Sequence, residues 1–323
     1  MALPVLLGVA AGACLAGGAF ALVAYRLWAA YFGPGVHRCR FQRSPVTAPH
    51  LAGTLLTDDG VRLPYRWLPG RAPYVLVVAG GYRRCIEESF ALAADLNAAG
   101  PSVLTFEFRG TAPGAHRLLA GASRESADLR AALARARELG GPLPLGVVGL
   151  CLGASVAVLV AAEDEAIDAL WIDGPFVSPL SVLGWAVATR THLPGRPFAA
   201  AVGLAVRVTR GMRLRRVRVD LAARRVRDIP VRTVVTDEDL AMPRQRRLRR
   251  GLGIGTQEEV LYVPKARHAG AYFATPQPYV AELARFFIGA LLQQRPASFS
   301  SPRRGQAGGG SASPVLARVS ARR

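Results

Sequence analysis

A short apolar run, Gly146-Val147-Val148-Gly149-Leu150, passes through Cys151 straight into a stretch of small residues, Leu152-Gly153-Ala154-Ser155-Val156-Ala157. The first pattern is that of a buried strand and the second that of a closely packed helix, so the chain must turn from one to the other within a residue or two. Glycines two positions either side of the cysteine leave room for that bend. A strand that feeds a helix in this way belongs to a parallel sheet with helices on its faces. The remaining periodicity agrees. Apolar runs at 74–79, 102–106, 169–172, 231–235 and 260–263 alternate with 89–99 and 125–139, where apolar residues recur at helical spacing, and 278–292 predicts a closing amphipathic helix. Ahead of them, 53–57 and 61–67 flank Asp59-Gly60, a hairpin turn pair, so two antiparallel strands are expected to open the fold.

Three segments stand outside that alternation. From Ala2 to Tyr25 the chain carries no charge; as a helix this run rises about 36 Å, enough to cross an apolar layer of about 30 Å. No Lys or Arg precedes it, and it exceeds the length of a signal-peptide core, so a transmembrane anchor is expected rather than a cleaved leader. Arg26, Arg38, Arg40 and Arg43 follow it, which puts the rest of the chain on the cytoplasmic side of a cell membrane, while Trp28 and Tyr31 suit the interface. The segment 176–228 interrupts the alternation with prolines and a basic stretch, and reads as a helical cap. After Pro296 the composition narrows to Ser, Gly, Arg and Pro, which cannot bury enough apolar surface to fold. The expected organisation is therefore an anchor at 1–31, a juxtamembrane linker at 32–50, one α/β domain at 51–295 with its cap at about 176–228, and a disordered basic tail at 296–323.

The charge balance is lopsided: 41 Lys and Arg against 22 Asp and Glu give a net +19, and Lys265 is the only lysine. Nucleic-acid binding is not expected, because aromatic residues make up 7% of the chain and the arginines are spread over several segments. Arg207, Arg210, Arg213, Arg215, Arg216 and Arg218, with Val and Leu between them, suit anionic headgroups, an anionic substrate or a solvated helix face. Cys14, Cys39, Cys85 and Cys151 lack metal-ligand spacing and form no disulfide framework, so no metal or other cofactor is expected.

The turn at Cys151 has the form of a nucleophile elbow, in which the central side chain projects at the top of the sheet beside a helix N-terminus. A helix N-terminus favours thiolate over thiol, which suits cysteine to this position and predicts a depressed thiol pKa. On these residues the chain resembles the α/β-hydrolase superfamily over about 51–292, and VGLCLGASVAVLVAA is similar to the cysteine elbow of dienelactone hydrolases. The resemblance implies an acid after a later strand and a histidine after the last one. Asp239 lies four residues before Pro243, as the family's acid does, with Asp237 and Glu238 close enough to compete. His268, just beyond the last expected strand, fits the histidine, since His37, His50 and His116 precede Cys151 and His192 falls in the cap.

Those roles would make Cys151 the nucleophile, His268 its base and Asp239 the group that orients the imidazole. The resemblance also implies an oxyanion hole from the backbone N–H of Leu152 and that of Gly81 or Tyr82, in the Ala79-Gly80-Gly81-Tyr82 segment. Several positions depart from the family: the usual histidine of that segment is missing, and Glu107 and Thr111-Ala112-Pro113 replace its usual residues. Trp171-Ile172-Asp173-Gly174-Pro175-Phe176 instead resembles an element of membrane-anchored serine hydrolases with helical caps. The expected activity is cleavage of an ester, thioester or lactone through an acyl-enzyme, on a small acyl substrate of lipid-like or anionic character. Acyl transfer by the same triad and a catalytically silent binding scaffold are the alternatives.

Overall fold

The computed structural model describes residues 2–32, 48–82, 86–110, 122, 124–163, 167–226, 228–241, 245–254 and 260–293. The Arg38, Arg40 and Arg43 flank, most of the 32–50 linker, His37, His116, Cys39, Cys85, Thr111-Ala112-Pro113, Pro243 and the 296–323 tail lie outside those residues.

Helix α1 (Ala2–Phe32) comes first, followed by strands β1 (Leu51–Leu56) and β2 (Arg62–Leu68), paired antiparallel across the Asp59-Gly60 turn. Then strand and helix alternate: β3 (Val75–Ala79), α2 (Ile86–Ala98), β4 (Ser102–Phe106), α3 (Glu125–Gly140), β5 (Leu145–Leu150), α4 (Leu152–Ala161) and β6 (Ala169–Asp173). The insertion after β6 holds α5 (Pro179–Thr191), α6 (Gly195–Arg210) and α7 (Val219–Ala222). The chain closes through β7 (Val231–Thr236), α8 (Asp237–Ala241), α9 (Gln245–Gly251), β8 (Val260–Val263), α10 (Ala271–Ala274) and α11 (Pro276–Ile288). The eight strands form one sheet in the order β1-β2-β4-β3-β5-β6-β7-β8, antiparallel at β1·β2 and β2·β4 and parallel elsewhere.

The central strands are buried along their whole length, as parallel strands covered on both faces must be. Alternate side chains serve the two faces. Val75, Val77, Ala79 and Val147 pack with Leu129, Leu133 and Ala136 of α3 and with α4, whereas Leu76, Val78 and Val148 pack with Phe90 and Leu96 of α2 and with Tyr279, Leu283 and Phe287 of α11. The amphipathic helix expected at 278–292 begins at Pro276, and its last turn, Gly289–Gln293, widens to a π-helix.

The insertion has a small core of its own, Leu183, Val202, Val206, Met212 and Leu214, against which Ala24, Leu27 and Trp28 of α1 pack. Phe20 lies on Phe198 at 4.5 Å between ring centroids, and the Arg210 guanidinium sits over the Trp28 ring. Helix α1 therefore runs alongside α6. Among the described residues no helix is long and apolar enough to cross a membrane, and the transmembrane helix expected at the N-terminus is not found among them.

An ion-pair cluster locks the hairpin to the sheet. Arg109, just beyond β4, gives two bonds to each carboxylate, reaching Asp59 in the hairpin turn at 2.7 and 3.0 Å and Oδ1 of Asp128 in α3 at 2.8 and 2.6 Å. The backbone N–H of Arg109 donates to the second Asp128 oxygen. Glu107, the residue that departs from the family pattern, accepts the backbone N–H of Ile86 at 2.8 Å and so ties the start of α2 to the end of β4. Because Arg109 and Asp128 are both fully buried, removing one partner leaves a charge with too little compensation. Asp128→Ala is expected to destabilise the domain by about 3–5 kcal/mol, read as a lower urea midpoint at unchanged m-value.

Candidate active site

The site is assembled where the strand ends of β3, β5 and β6 meet. Cys151 joins β5 to α4 at φ 50°, ψ −103°, a conformation that non-glycine residues seldom adopt and that neighbouring contacts must hold in place. Three backbone bonds do so. Cys151 N–H donates to the Asp173 carbonyl at 2.8 Å, Gly153 N–H to the Gly80 carbonyl at 3.1 Å, and Ser155 N–H to the Cys151 carbonyl at 3.1 Å. The two flanking glycines are required by contact. A Cβ on Gly153 would lie 2.1 Å from the Ala79 oxygen, and one on Gly149 would lie 2.5 Å from the Ala154 Cα. The Ser155 hydroxyl accepts the Phe176 N–H at 2.8 Å and joins α4 to the loop beyond β6.

The three neighbouring acids after β7 part ways. Asp239 is buried; its Oδ2 accepts the Thr236 N–H and hydroxyl, and its Oδ1 lies 2.5 Å from Nδ1 of His268. Glu238 accepts the backbone N–H of His268 at 3.0 Å. Asp237 turns away, accepting from the Tyr262 hydroxyl and the Lys265 N–H. All three brace the histidine loop, but Asp239 is the one that reaches the imidazole. His268 is also hydrogen-bonded to Cys151; with Nδ1 facing Asp239, this contact falls to Nε2.

Burial alone would lower the proton affinity of His268. The negative sulfur of Cys151 and the Asp239 carboxylate outweigh it and push the imidazole pKa up to about 11. The arrangement therefore favours a protonated imidazole between the Cys151 sulfur and the Asp239 carboxylate. Leu152 is the first residue of α4, so its N–H has no partner inside the helix. The Gly80–Gly153 bond sets Gly81 and Tyr82 beside that helix N-terminus, and a small cleft lined by Gly81, Leu150, Ala269 and Phe273 opens there. Burial lowers the pKa of Arg210, at the end of α6 in the cap, and the Tyr82 charge acts against that.

Two neighbours of the histidine, Asp173 and Gly174, fall in the 171–176 segment noted for its resemblance, but sequence reasoning gave them no part in the site. Gly174, at φ 61°, gives the imidazole its room, since a Cβ there would lie 2.8 Å from Cε1 and 2.9 Å from Nδ1. Asp173 is wholly buried beside it. The signal available was a carboxylate ending an apolar strand, followed at once by glycine. Among the described residues no group of His, Cys, Asp and Glu has the arrangement of a metal site.

The sequence matches no protein-family model and no curated protein. Solved structures do match. An esterase of Pyrococcus furiosus, Pf2001, superposes with a TM-score of 0.61 at 16% identity, over 79% of this chain and 97% of its own. The α/β hydrolase GrgF from a Penicillium species gives 0.57 at 16% identity, over 75% and 99%. A dienelactone hydrolase from Anabaena variabilis gives 0.52 at 16% identity, over 76% and 100%. What these proteins share with the chain is the α/β-hydrolase fold, and that is the fold of this protein.

Proposed function

We propose that the protein is an acyl hydrolase that uses Cys151 as nucleophile, His268 as acid and base, and Asp239 as the group that orients and charges the imidazole. The observation that carries this reading is the hydrogen-bonded series from Cys151 through His268 to Asp239, closed by the 2.5 Å contact at Nδ1. The thiolate attacks the acyl carbonyl of an ester, thioester or lactone, and the carbonyl electron pair moves onto oxygen. Backbone N–H groups of Leu152 and of Gly81 or Tyr82 receive that oxyanion. On collapse the imidazolium gives its Nε2 proton to the leaving alcohol or thiol, and a thioester to Cys151 remains. Water then enters, His268 takes its proton, and the acid departs as the thiolate returns. An acceptor alcohol or amine in place of water would turn the same sequence into acyl transfer. Esterase and dienelactone hydrolase neighbours of the same fold support the hydrolytic reading.

The proposal includes attachment to a membrane, with the catalytic domain on the cytoplasmic side. It is supported by the uncharged run Ala2–Tyr25 and by Leu15, Leu22 and Tyr25, which stay exposed on α1. Exposed Leu204 and Val208 extend that apolar surface onto α6, the helix that ends at Arg210. A substrate with an acyl chain and an anionic group suits this mouth. The full chain is expected to sediment with membranes and resist carbonate extraction, whereas a chain beginning at residue 48 should be released. Equal release of both, or removal of the domain by protease added outside intact cells, would overturn the placement.

The ion pair sets a pH signature. Because the imidazole holds its proton up to about pH 11, the thiolate keeps its partner throughout the neutral range. Alkylation of Cys151 by iodoacetamide, tracked on its own peptide by mass spectrometry, should be fast and nearly flat from about pH 6 to 9. His268→Ala should restore a rate that climbs toward an ordinary thiol pKa of about 8.5.

Turnover of short activated esters and thioesters should vanish in Cys151→Ala. Asp239→Asn should lower kcat by about 10³–10⁴-fold through loss of imidazole orientation, while Asp237→Asn should stay within about threefold of the parent, its carboxylate being engaged with Tyr262 and Lys265. A wild-type protein no more active than Cys151→Ala across such a panel would instead favour a silent scaffold.

A further inference from the structure

Beside the catalytic series lies a second carboxyl that the mechanism above does not use. Asp173 ends β6; its backbone oxygen accepts the Cys151 N–H, and the next residue, Gly174, is in contact with the His268 ring. Its side chain is completely buried. One oxygen, Oδ2, accepts the Tyr279 hydroxyl at 3.1 Å, and that hydroxyl in turn accepts the Trp171 indole N–H at 2.9 Å. The other, Oδ1, has no hydrogen-bond partner among the described residues. A buried carboxylate oxygen left bare is costly, and the cost is relieved if the carboxyl carries a proton.

The charges around Asp173 point the same way. Asp239, beyond β7, is already negative and paired with His268; Tyr279 of α11 is neutral; Cys151 at the elbow is the negative partner of the imidazolium. Arg232 of β7 lies over Trp171 and pairs with Glu282 through one terminal nitrogen, while its Nε is buried with no partner among the described residues. The His268 imidazolium is the cation that favours an ionised Asp173, but it is already shared with Asp239 and Cys151, and burial with the Asp239 charge outweighs it.

We propose that Asp173 is a positioning residue for the reaction, a second carboxyl that holds a proton of its own next to His268, so that Asp239 alone carries negative charge on the acid side of the imidazolium. Loss of that proton to solvent on raising the pH adds a negative charge beside the ring and makes His268 a weaker acid toward the leaving group. Burial, chiefly, and the nearby Asp239 carboxylate raise the Asp173 pKa to about 7, so the change falls in the neutral range. The inference rests on the Cys151–His268–Asp239 reading, yet it has its own readout.

The experiment observes the His268 ring by NMR in protein labelled at histidine, from about pH 5 to 9, with no turnover required. Wild type should show a small chemical-shift step near pH 7 while the ring keeps its proton. Asp173→Asn, which preserves shape, should abolish the step. Tyr279→Phe, which removes the donor to Oδ2, should move it to higher pH, because the ionised form loses its only side-chain donor among the described residues. A role confined to structure would leave the step where it is. If wild type lacks the step, or Asp173→Asn keeps it at the same pH, the proposal is wrong. Failure of the parent reading looks different, since His268 would then lose its ring proton near pH 6.5 in every variant.

Discussion

The site depends on how closely the elbow is pressed against the end of β3. The Ala79 oxygen occupies the space a side chain on residue 153 would need, so only glycine fits there, and the Gly153 N–H closes on the Gly80 carbonyl. That one approach fixes two things together. It holds Cys151 in its unfavourable backbone conformation at the N-terminus of α4, and it carries the Gly81-Tyr82 segment to the same N-terminus. The bond from Cys151 N–H to Asp173 clamps the other side, so the turn is gripped by strands on both flanks. Strain at Cys151 is thus held by the sheet, whose central strands are wholly buried.

Electrostatics then depend on where the carboxyls fall, and each has a separate task. Asp128 neutralises Arg109 under the hairpin, Glu107 holds the start of α2, Asp237 and Glu238 brace the histidine loop, Asp239 charges the imidazole, and Asp173 lies beside it with one bare oxygen. Of these, only Asp239 meets a ring nitrogen, and its other oxygen accepts the Thr236 N–H and hydroxyl. The result is one imidazole set between a buried carboxylate and the Cys151 sulfur.

The cap and α1 pack against each other. Helix α6 packs along α1 through Phe198 on Phe20 and leaves Leu204 and Val208 uncovered. Its last residue, Arg210, lies over the Trp28 ring of α1.

Much of this was legible in the residues themselves. Apolar runs located β3 to β8 and helical patterns the helices that cover them, while the Asp59-Gly60 turn pair located the two antiparallel strands that open the fold. The G-x-C-x-G turn singled out Cys151 by local geometry alone. Long-range choices were not legible. Asp237, Glu238 and Asp239 are indistinguishable as a string, and only the way α8 starts on β7, with Thr236 donating to Asp239, aims one of them at the ring. Asp173 drew notice only within the 171–176 segment, since its place beside the site comes from Gly174 lying against a histidine distant in the chain. The uncharged N-terminal run determined a long helix, but its packing against α6 arose from contacts that no spacing encodes. Sequence by itself determines the structure that neighbours along the chain impose on one another; which buried charge meets which partner is decided where the chain returns to itself.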